Sequence, residues 1–141
     1  PQRRKGAKVA KNVATREFLN DISHRIVGAG IEVHRQIGPG LLEGIYVECL
    51  AAELAQSGLA IEREVAVPIR YKGKELAKPL RLDLLVENCL IVEAKSVDTL
   101  LPVHAAQVLT YLRLTGLKLG LLLNFNVDVM RQGVKRIVNG L

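Results

Sequence analysis

The sequence predicts an α/β or α+β domain, with a mixed central sheet flanked by helices. One observation is the order of segments, which reads as two helices, three strands, one helix and two strands. A second is composition, since 49% of the 141 residues are apolar and 24% are charged, as in one globular domain with a buried core. No apolar run approaches the roughly 18 residues that cross a bilayer, so we expect no membrane partner.

Two helices are predicted at the start of the domain. Apolar residues recur every three or four positions over residues 19–37, which is the spacing of one helix face. The sequence GPG at 38–40 ends that helix. A second helix is predicted over about 42–56, with Gly58 as its C-terminal cap.

The rest of the domain is predicted as five strands and one helix. Pro102 begins that helix at a favourable first-turn position, and Gly116 ends it. Pro68 lies in the first strand and suggests an edge position or a bulge, and residues 72–74 form a turn. The predicted strands are 61–71, 80–87, 89–95, 118–125 and 134–138.

The net charge of +6 comes from the start of the chain. Residues 1–16 contain six basic residues and no acid, whereas residues 17–141 contain 14 of each sign. We therefore expect a basic flexible tail over 1–18 and a folded domain over 19–141. The tail either holds phosphate groups without sequence specificity or is only a solvated leader.

The two cysteines are predicted to be reduced core residues. Cys49 and Cys89 lie in apolar segments, and neither has a Cys or His neighbour at the spacing of a zinc site. We expect a cytoplasmic protein without a structural zinc ion.

Two acids and a lysine lie on the two strands predicted over 80–95. Side chains alternate along a strand, so Glu93 and Lys95 share a face. A two-residue turn at 87–88 would turn Asp83 away from Glu93, whereas a three-residue turn at 87–89 pairs the two acids. The three-residue turn also places six apolar residues on one face of the hairpin, namely Leu82, Leu84, Val86, Leu90, Val92 and Ala94. Because burial of that face selects the register, we predict the three-residue turn.

This arrangement favours a divalent metal ion. Leu85 and Ile91 share the face of the acids, and two carboxylates in partly apolar surroundings repel each other unless a cation joins them. Oxygen ligands suit Mg²⁺ or Mn²⁺. A lysine beside them can position water or stabilise charge on a phosphate. Spacing alone leaves open ordinary surface salt bridges among these three charged residues.

Two motifs carry a family resemblance. Asp83, followed after ten positions by Glu93-Ala94-Lys95, resembles the motif of the PD-(D/E)xK nuclease superfamily, except that Leu82 stands where the motif has proline. Residues 40–46, GLLEGIY, resemble the defining motif of the GxxExxY protein family, which is placed within that superfamily. The resemblance extends over about residues 20–138 and implies a restriction-endonuclease-like core. Three further stretches belong to it, namely 32–34, 101–104 and 124–126.

The resemblance also implies the composition of the site. Metal binding falls to Asp83, Glu93 and Glu43, while Lys95 positions the attacking water. On the residues alone, Glu43 equally suits the first turn of a helix, where an acid stabilises the helix dipole.

The third predicted helix adds two residues to the implied site. The resemblance places Gln107 and Tyr111 near the lysine strand, and their spacing of four puts them on one helix face. The residues alone leave open a strand-end cap for Gln107 and a core position for Tyr111. Tyr46 either packs over the cleft or fills the core. His34 and His104 are lone histidines of the kind that is usually structural, and His104 is the better candidate for a functional role.

We therefore expect a metal-dependent nuclease that hydrolyses phosphodiester bonds in nucleic acid, with DNA favoured over RNA. Two other functions stay open, because the neutral body and the 4% aromatic content do not favour a strong hold on DNA. One is a nucleic-acid-binding module without catalysis. The other is a subunit that acts only with a partner or as a homodimer.

Overall fold

The computed structural model describes residues 14–141. Residues 1–13 of the predicted basic tail therefore lie outside the described residues. Three α-helices are described: α1 (Arg16–Ile37), α2 (Glu43–Gln56) and α3 (Pro102–Thr115). The start of α1 was predicted three residues too late. The Thr15 hydroxyl accepts a hydrogen bond from the Phe18 amide at 3.0 Å and caps the helix there, so Arg16 to Phe18 are helical.

The predicted helix ends are confirmed. Gly38, Gly58 and Gly116 all have positive φ angles, and the amide of Gly116 donates to the Leu112 carbonyl at 2.8 Å. The two N-terminal helices are therefore separated by the predicted GPG segment, and α3 ends where its glycine allows the chain to turn back toward the sheet.

Seven strands are described: β1 (Ile61–Val67), β2 (Arg70–Tyr71), β3 (Lys74–Glu75), β4 (Leu80–Val86), β5 (Leu90–Lys95), β6 (Leu119–Asn124) and β7 (Val134–Val138). Five of them form one sheet in the order β1-β4-β5-β6-β7. Neighbouring strands are antiparallel except β5 and β6, which are parallel and are connected through α3. The prediction of a single domain with a mixed sheet flanked by helices is confirmed.

The first predicted strand is divided. It was expected to run to residue 71, but β1 ends at Val67, because Pro68 has no amide hydrogen to donate to a neighbouring strand. β1 lies at the sheet edge, as Pro68 suggested. β2 and β3 form a separate two-stranded hairpin around Lys72 and Gly73, which both have positive φ. A short 3₁₀ helix (Met130–Gly133) before β7 was not predicted.

Different helices bury the two faces of the main sheet. One face packs with α1 and α2 in an apolar cluster that includes Leu84, Val92 and Ala94. The other packs with α3 in a second cluster that includes Leu85 and Ile91. β5 and β6 are covered on both sides, which explains why both read as nearly continuous apolar runs.

Both cysteines are free, as predicted; Cys89 is buried, and Cys49 packs against the same cluster. Within residues 14–141, no helix combines the length and the apolar character that spanning a membrane requires.

Candidate functional site

The predicted three-residue turn joins β4 and β5. Leu84 pairs with Val92 and Val86 pairs with Leu90, so residues 87–89 form the connection. The Cys89 amide donates to the Val86 carbonyl at 3.0 Å. In this turn Glu87 and Asn88 have φ near +50°, as in the tight turns whose backbone twist matches that of a β-hairpin. The register prediction is confirmed.

On the side of the Leu84–Val92 pair away from the turn, the carboxylates of Asp83 and Glu93 link the two strands. The Asp83 amide donates to Oε2 of Glu93 at 2.8 Å. In return, Oδ2 of Asp83 accepts a hydrogen bond from the Ala94 amide at 2.9 Å. The two acids are therefore brought together, as the register predicted, and each is fixed by the backbone of the opposite strand.

The alternation of side chains along β4 is interrupted at Asp83. Leu84 lies in the cluster under α1 and α2, but Leu82 lies in the cluster under α3. The pairing of β1 with β4 skips this position, where Glu64 of β1 has a φ of +50°. The prediction that Leu82 shares a face with Leu84 is therefore wrong. Alternation needs an unbroken ladder, and the ladder is broken at the aspartate.

Burial controls the protonation of the acid pair. Glu93 is only 5% exposed, and its burial, followed by the charge of Asp83, raises its pKa to about 8. Burial also raises the pKa of Asp83, against the opposing effects of the Ala94 amide and the Lys95 charge. Within residues 14–141, neither carboxylate has an ion pair with a basic side chain. The pair is therefore short of positive charge, and in the absence of a metal ion its surroundings favour the protonated form of Glu93.

Glu43 lies near this pair without joining it. It is the first residue of α2, it is exposed, and its charge contributes to the raised pKa values of Asp83 and Glu93. In the part of the chain that the structure describes, no three His, Cys, Asp or Glu side chains are grouped closely enough to hold a metal ion. Glu43 therefore stands at the start of a helix and also lies near the acid pair, two positions that the sequence left as alternatives.

Tyr46 holds the loop that leads to Glu43. Its hydroxyl donates to the Gly38 carbonyl at 2.6 Å and accepts from the Leu41 amide at 3.1 Å. Its fully buried ring stacks on Phe125, with ring centres 4.4 Å apart and planes 6° from parallel. Tyr46 thus fills the core and does not cover the cleft.

Asn124 and Ser96 hold the chain that follows Lys95. Asn124 pairs with Lys95 across the parallel strands, and its side chain accepts from the Val97 amide at 3.0 Å and donates to the Val97 carbonyl at 2.8 Å. The Ser96 hydroxyl donates to the Leu41 carbonyl at 2.6 Å and so joins the end of β5 to the Glu43 loop.

Sequence reasoning assigned no role to either residue. A polar amide at the end of an apolar strand indicates a buried hydrogen-bonding role for Asn124. No pattern in the sequence points to Ser96, because its partner lies 55 residues away.

α3 brings Tyr111 against the acid pair. Tyr111 is buried in the cluster that contains Ile91, and burial, followed by the charges of Glu93 and Asp83, raises its pKa. A hydrogen bond with the side chain of Gln107, an exposed residue one helical turn earlier, acts to lower the pKa of Tyr111. Tyr111 is therefore both a core residue and a neighbour of the site.

The two singled-out histidines make structural hydrogen bonds. Nδ1 of His104 accepts from the Leu101 amide at 2.9 Å and caps α3. Nε2 of His34 lies 2.7 Å from the Val127 carbonyl oxygen. The structure thus gives both histidines the structural role that is usual for lone histidines, and His104, the better candidate for a functional role, caps α3 because the free amides at a helix start need an acceptor.

A mixed sheet between helix layers, with two acids and a lysine on a central hairpin, defines a restriction-endonuclease-like fold. The family model described as the PD-(D/E)XK nuclease superfamily matches residues 20–137. The chain belongs to the PD-(D/E)XK nuclease superfamily. Members generally use divalent metal ions and act on nucleic acid. No curated protein and no solved structure matched the chain.

Proposed function

We propose that the protein is a metal-dependent nuclease of the GxxExxY family that hydrolyses phosphodiester bonds in DNA. The observation that carries the proposal is the pair of half-buried Asp83 and buried Glu93, neither of which forms an ion pair within residues 14–141. The family assignment rests on residues 40–46, where Tyr46 orders the loop and Glu43 lies close enough to act on the acid pair electrostatically.

The donor atoms of the pair fit a divalent cation. Asp83 and Glu93 each use one carboxylate oxygen to accept a backbone hydrogen bond. Among the described residues, the remaining two oxygens, Oδ1 and Oε1, have no protein donor. Hard oxygen ligands of this kind suit Mg²⁺ or Mn²⁺. Burial and then the charge of Asp83 raise the pKa of Glu93, and a cation between the two carboxylates would offset their repulsion. Further oxygens would come from the Ala94 carbonyl and, through a water molecule, from Glu43.

Each nearby residue has a separate task in this proposal. The bound metal ion supplies an acidified water and charge stabilisation for the phosphate. Lys95, whose charge acts on both carboxyl groups, orients the attacking water. Tyr111 keeps its proton because its pKa is raised, so its hydroxyl can donate to a phosphate oxygen or to water. Gln107 orients that hydroxyl or the water.

The test uses the purified full chain with single-stranded and duplex DNA and RNA, in Mg²⁺, Mn²⁺ or EDTA. We expect cleavage of DNA that requires metal and falls at least about 100-fold in Asp83→Asn and Lys95→Ala. Lys118→Ala, which changes an exposed lysine outside the site, is the matched control and should cleave normally.

Each contrary result has a distinct meaning. Full activity in Asp83→Asn would contradict the site assignment, and cleavage of RNA alone would contradict the DNA assignment. DNA binding without cleavage by the wild type would identify a binding module. Activity that appears only at concentrations where the chain dimerises would identify a homodimeric enzyme. The cytoplasmic location stays a prediction from the reduced cysteines.

A further inference from the structure

Positive charge is concentrated in one exposed segment of the folded domain. Residues 70–81, which we call the basic hairpin, contain five basic residues and one acid. Residues 14–141 as a whole contain 15 basic and 14 acidic residues, so the rest of the domain has ten and thirteen. The domain is nearly neutral because a basic hairpin offsets an acidic remainder, and the charge count alone conceals this separation.

The basic hairpin presents its lysines to solvent. Arg70 donates to the Gly73 carbonyl at 2.7 Å and lies 3.9 Å from Glu75, so the single acid of the segment already faces an arginine. Within the described part of the chain, Lys72, Lys74 and Lys78 are exposed and have no acidic partner. Three ammonium groups thus remain available to an anionic ligand.

An exposed aromatic ring accompanies these charges. Tyr71 is 62% exposed, and the Lys72 ammonium lies 5.4 Å from the centre of its ring. An exposed tyrosine beside lysines gives the hairpin a surface that a sugar or base can contact while phosphates meet the ammonium groups.

The basic hairpin emerges beside the acid pair. It leaves the main sheet where Val67 pairs with Leu80, three residues before Asp83 on the same strand. At about 3.3 Å per residue, the base of the hairpin is roughly 10 Å from Asp83. Because β5 runs antiparallel to β4, its C-terminal residue Lys95 lies at this same end of the sheet. The hairpin therefore stands at the end of the sheet where the proposed site lies.

We propose that the basic hairpin binds the phosphate backbone of the substrate beside the bond to be cleaved. The identity of the ligand rests on the proposed nuclease function, whereas the hairpin's charge and position are independent of it. The base of the hairpin lies closer to Asp83 than the roughly 12 Å width of the DNA major groove, so a duplex held at the acid pair extends its phosphates toward the hairpin. Charge complementarity favours a polyanion, and uniform lysine contacts favour binding without sequence specificity.

The test measures binding separately from cleavage. Binding of the full chain to a fluorescent 30-base-pair DNA duplex is followed by anisotropy in EDTA, over a series of salt concentrations. Each lost phosphate contact lowers the slope of log K against log salt by about 0.9, so Lys72→Ala/Lys74→Ala should lower its magnitude by about 1.8. We also expect roughly tenfold weaker binding at 0.1 M salt, with an unchanged midpoint of thermal unfolding.

The matched control removes the same charge elsewhere. Lys118→Ala/Lys135→Ala changes two exposed lysines away from the hairpin, one of them on the opposite edge strand β7, and should leave the slope unchanged. An unchanged slope in the hairpin variant, or an equal loss in the control, would overturn the proposal. The basic residues at 1–13 are present in every variant and cancel in the comparison.

Failure of the two proposals would look different. If the salt slope shows that the wild type binds DNA through the hairpin but the protein cleaves nothing, this inference stands and the nuclease proposal is wrong. If the wild type cleaves DNA but Lys72→Ala/Lys74→Ala has the same salt slope as the wild type, the nuclease proposal stands and the hairpin does not bind the substrate.

Discussion

The backbone amide of Asp83 donates to the Glu93 carboxylate at 2.8 Å, so the residue that supplies one acid also holds the other. Because the donor is a main-chain group, replacement of the Asp83 side chain leaves this hydrogen bond in place. The reverse hydrogen bond, from the Ala94 amide to Asp83, needs an oxygen that asparagine also has. Asp83→Asn therefore removes charge while keeping the geometry, which makes it the most informative single substitution in the site.

The raised pKa of Glu93 predicts an unusual dependence of stability on pH. An unfolded glutamate loses its proton near pH 4.5, whereas the folded one keeps it to about pH 8. The folded state therefore binds more protons in this window, and the stability of the metal-free protein should fall as pH rises through it. Above about pH 8 this contribution becomes constant.

Urea unfolding in EDTA at pH 5 and pH 8 measures the effect. Relative to Glu93→Gln, the wild type should lose on the order of a few kcal/mol of unfolding free energy between these pH values. The comparison also removes the contribution of the histidines, which both proteins share. Parallel pH curves for the two proteins would mean that Glu93 is ionised at neutral pH.

Glu43 should affect metal binding more weakly than the strand acids. It is exposed and acts on the pair at a distance, so Glu43→Gln should raise the Mg²⁺ concentration for half-maximal cleavage about tenfold. Glu48→Gln, an exposed acid of the same helix, should leave that concentration unchanged. Complete loss of cleavage in Glu43→Gln would instead make Glu43 a direct ligand.

The Tyr46 hydroxyl should contribute to both stability and activity. Tyr46→Phe keeps the stack on Phe125 but leaves the Gly38 carbonyl and the Leu41 amide, which form part-buried hydrogen bonds with the hydroxyl, without their partner. We expect a loss of about 1–3 kcal/mol of unfolding free energy in urea, together with weaker metal activation because the Glu43 loop loosens. Tyr71→Phe, at an exposed tyrosine, is the control and should change stability by less than about 0.5 kcal/mol.

Asn124 should be critical to the folded state. Asn124→Ala removes a buried amide that satisfies both backbone groups of Val97, so we expect a loss of about 2 kcal/mol or more. Asn126→Ala, which loses an exposed hydrogen bond to Asp98, should lose less than about 1 kcal/mol. Chemical denaturation of the two variants checks the difference, and equal losses would contradict the role assigned to Asn124.

Local pattern was sufficient for most segments of the mixed sheet, apart from the division of the first strand, and for the pairing of Asp83 with Glu93. The apolar alternation around residues 87–89 selected the hairpin register, because a slip of one residue would have turned Asp83 and Glu93 onto opposite faces and mixed polar with apolar residues on each face. The bounds of α2 and α3 followed from Pro102, Gly58 and Gly116, whose backbones restrict or permit particular turns. These effects act over a few residues, so one sequence contains them.

The surroundings of the site depended on contacts between distant parts of the chain. Only the folded chain shows Ser96 bound to the Glu43 loop, Asn124 holding the segment after Lys95, and Leu82 turned toward α3. The excess of basic residues over 70–81 can be counted in the sequence, but only the fold places this basic hairpin at the end of the sheet near the acids. The sequence by itself determined which residues could form the acid pair. Tertiary structure decided what surrounds the pair, because burial and electrostatic potential depend on neighbours that only packing brings together.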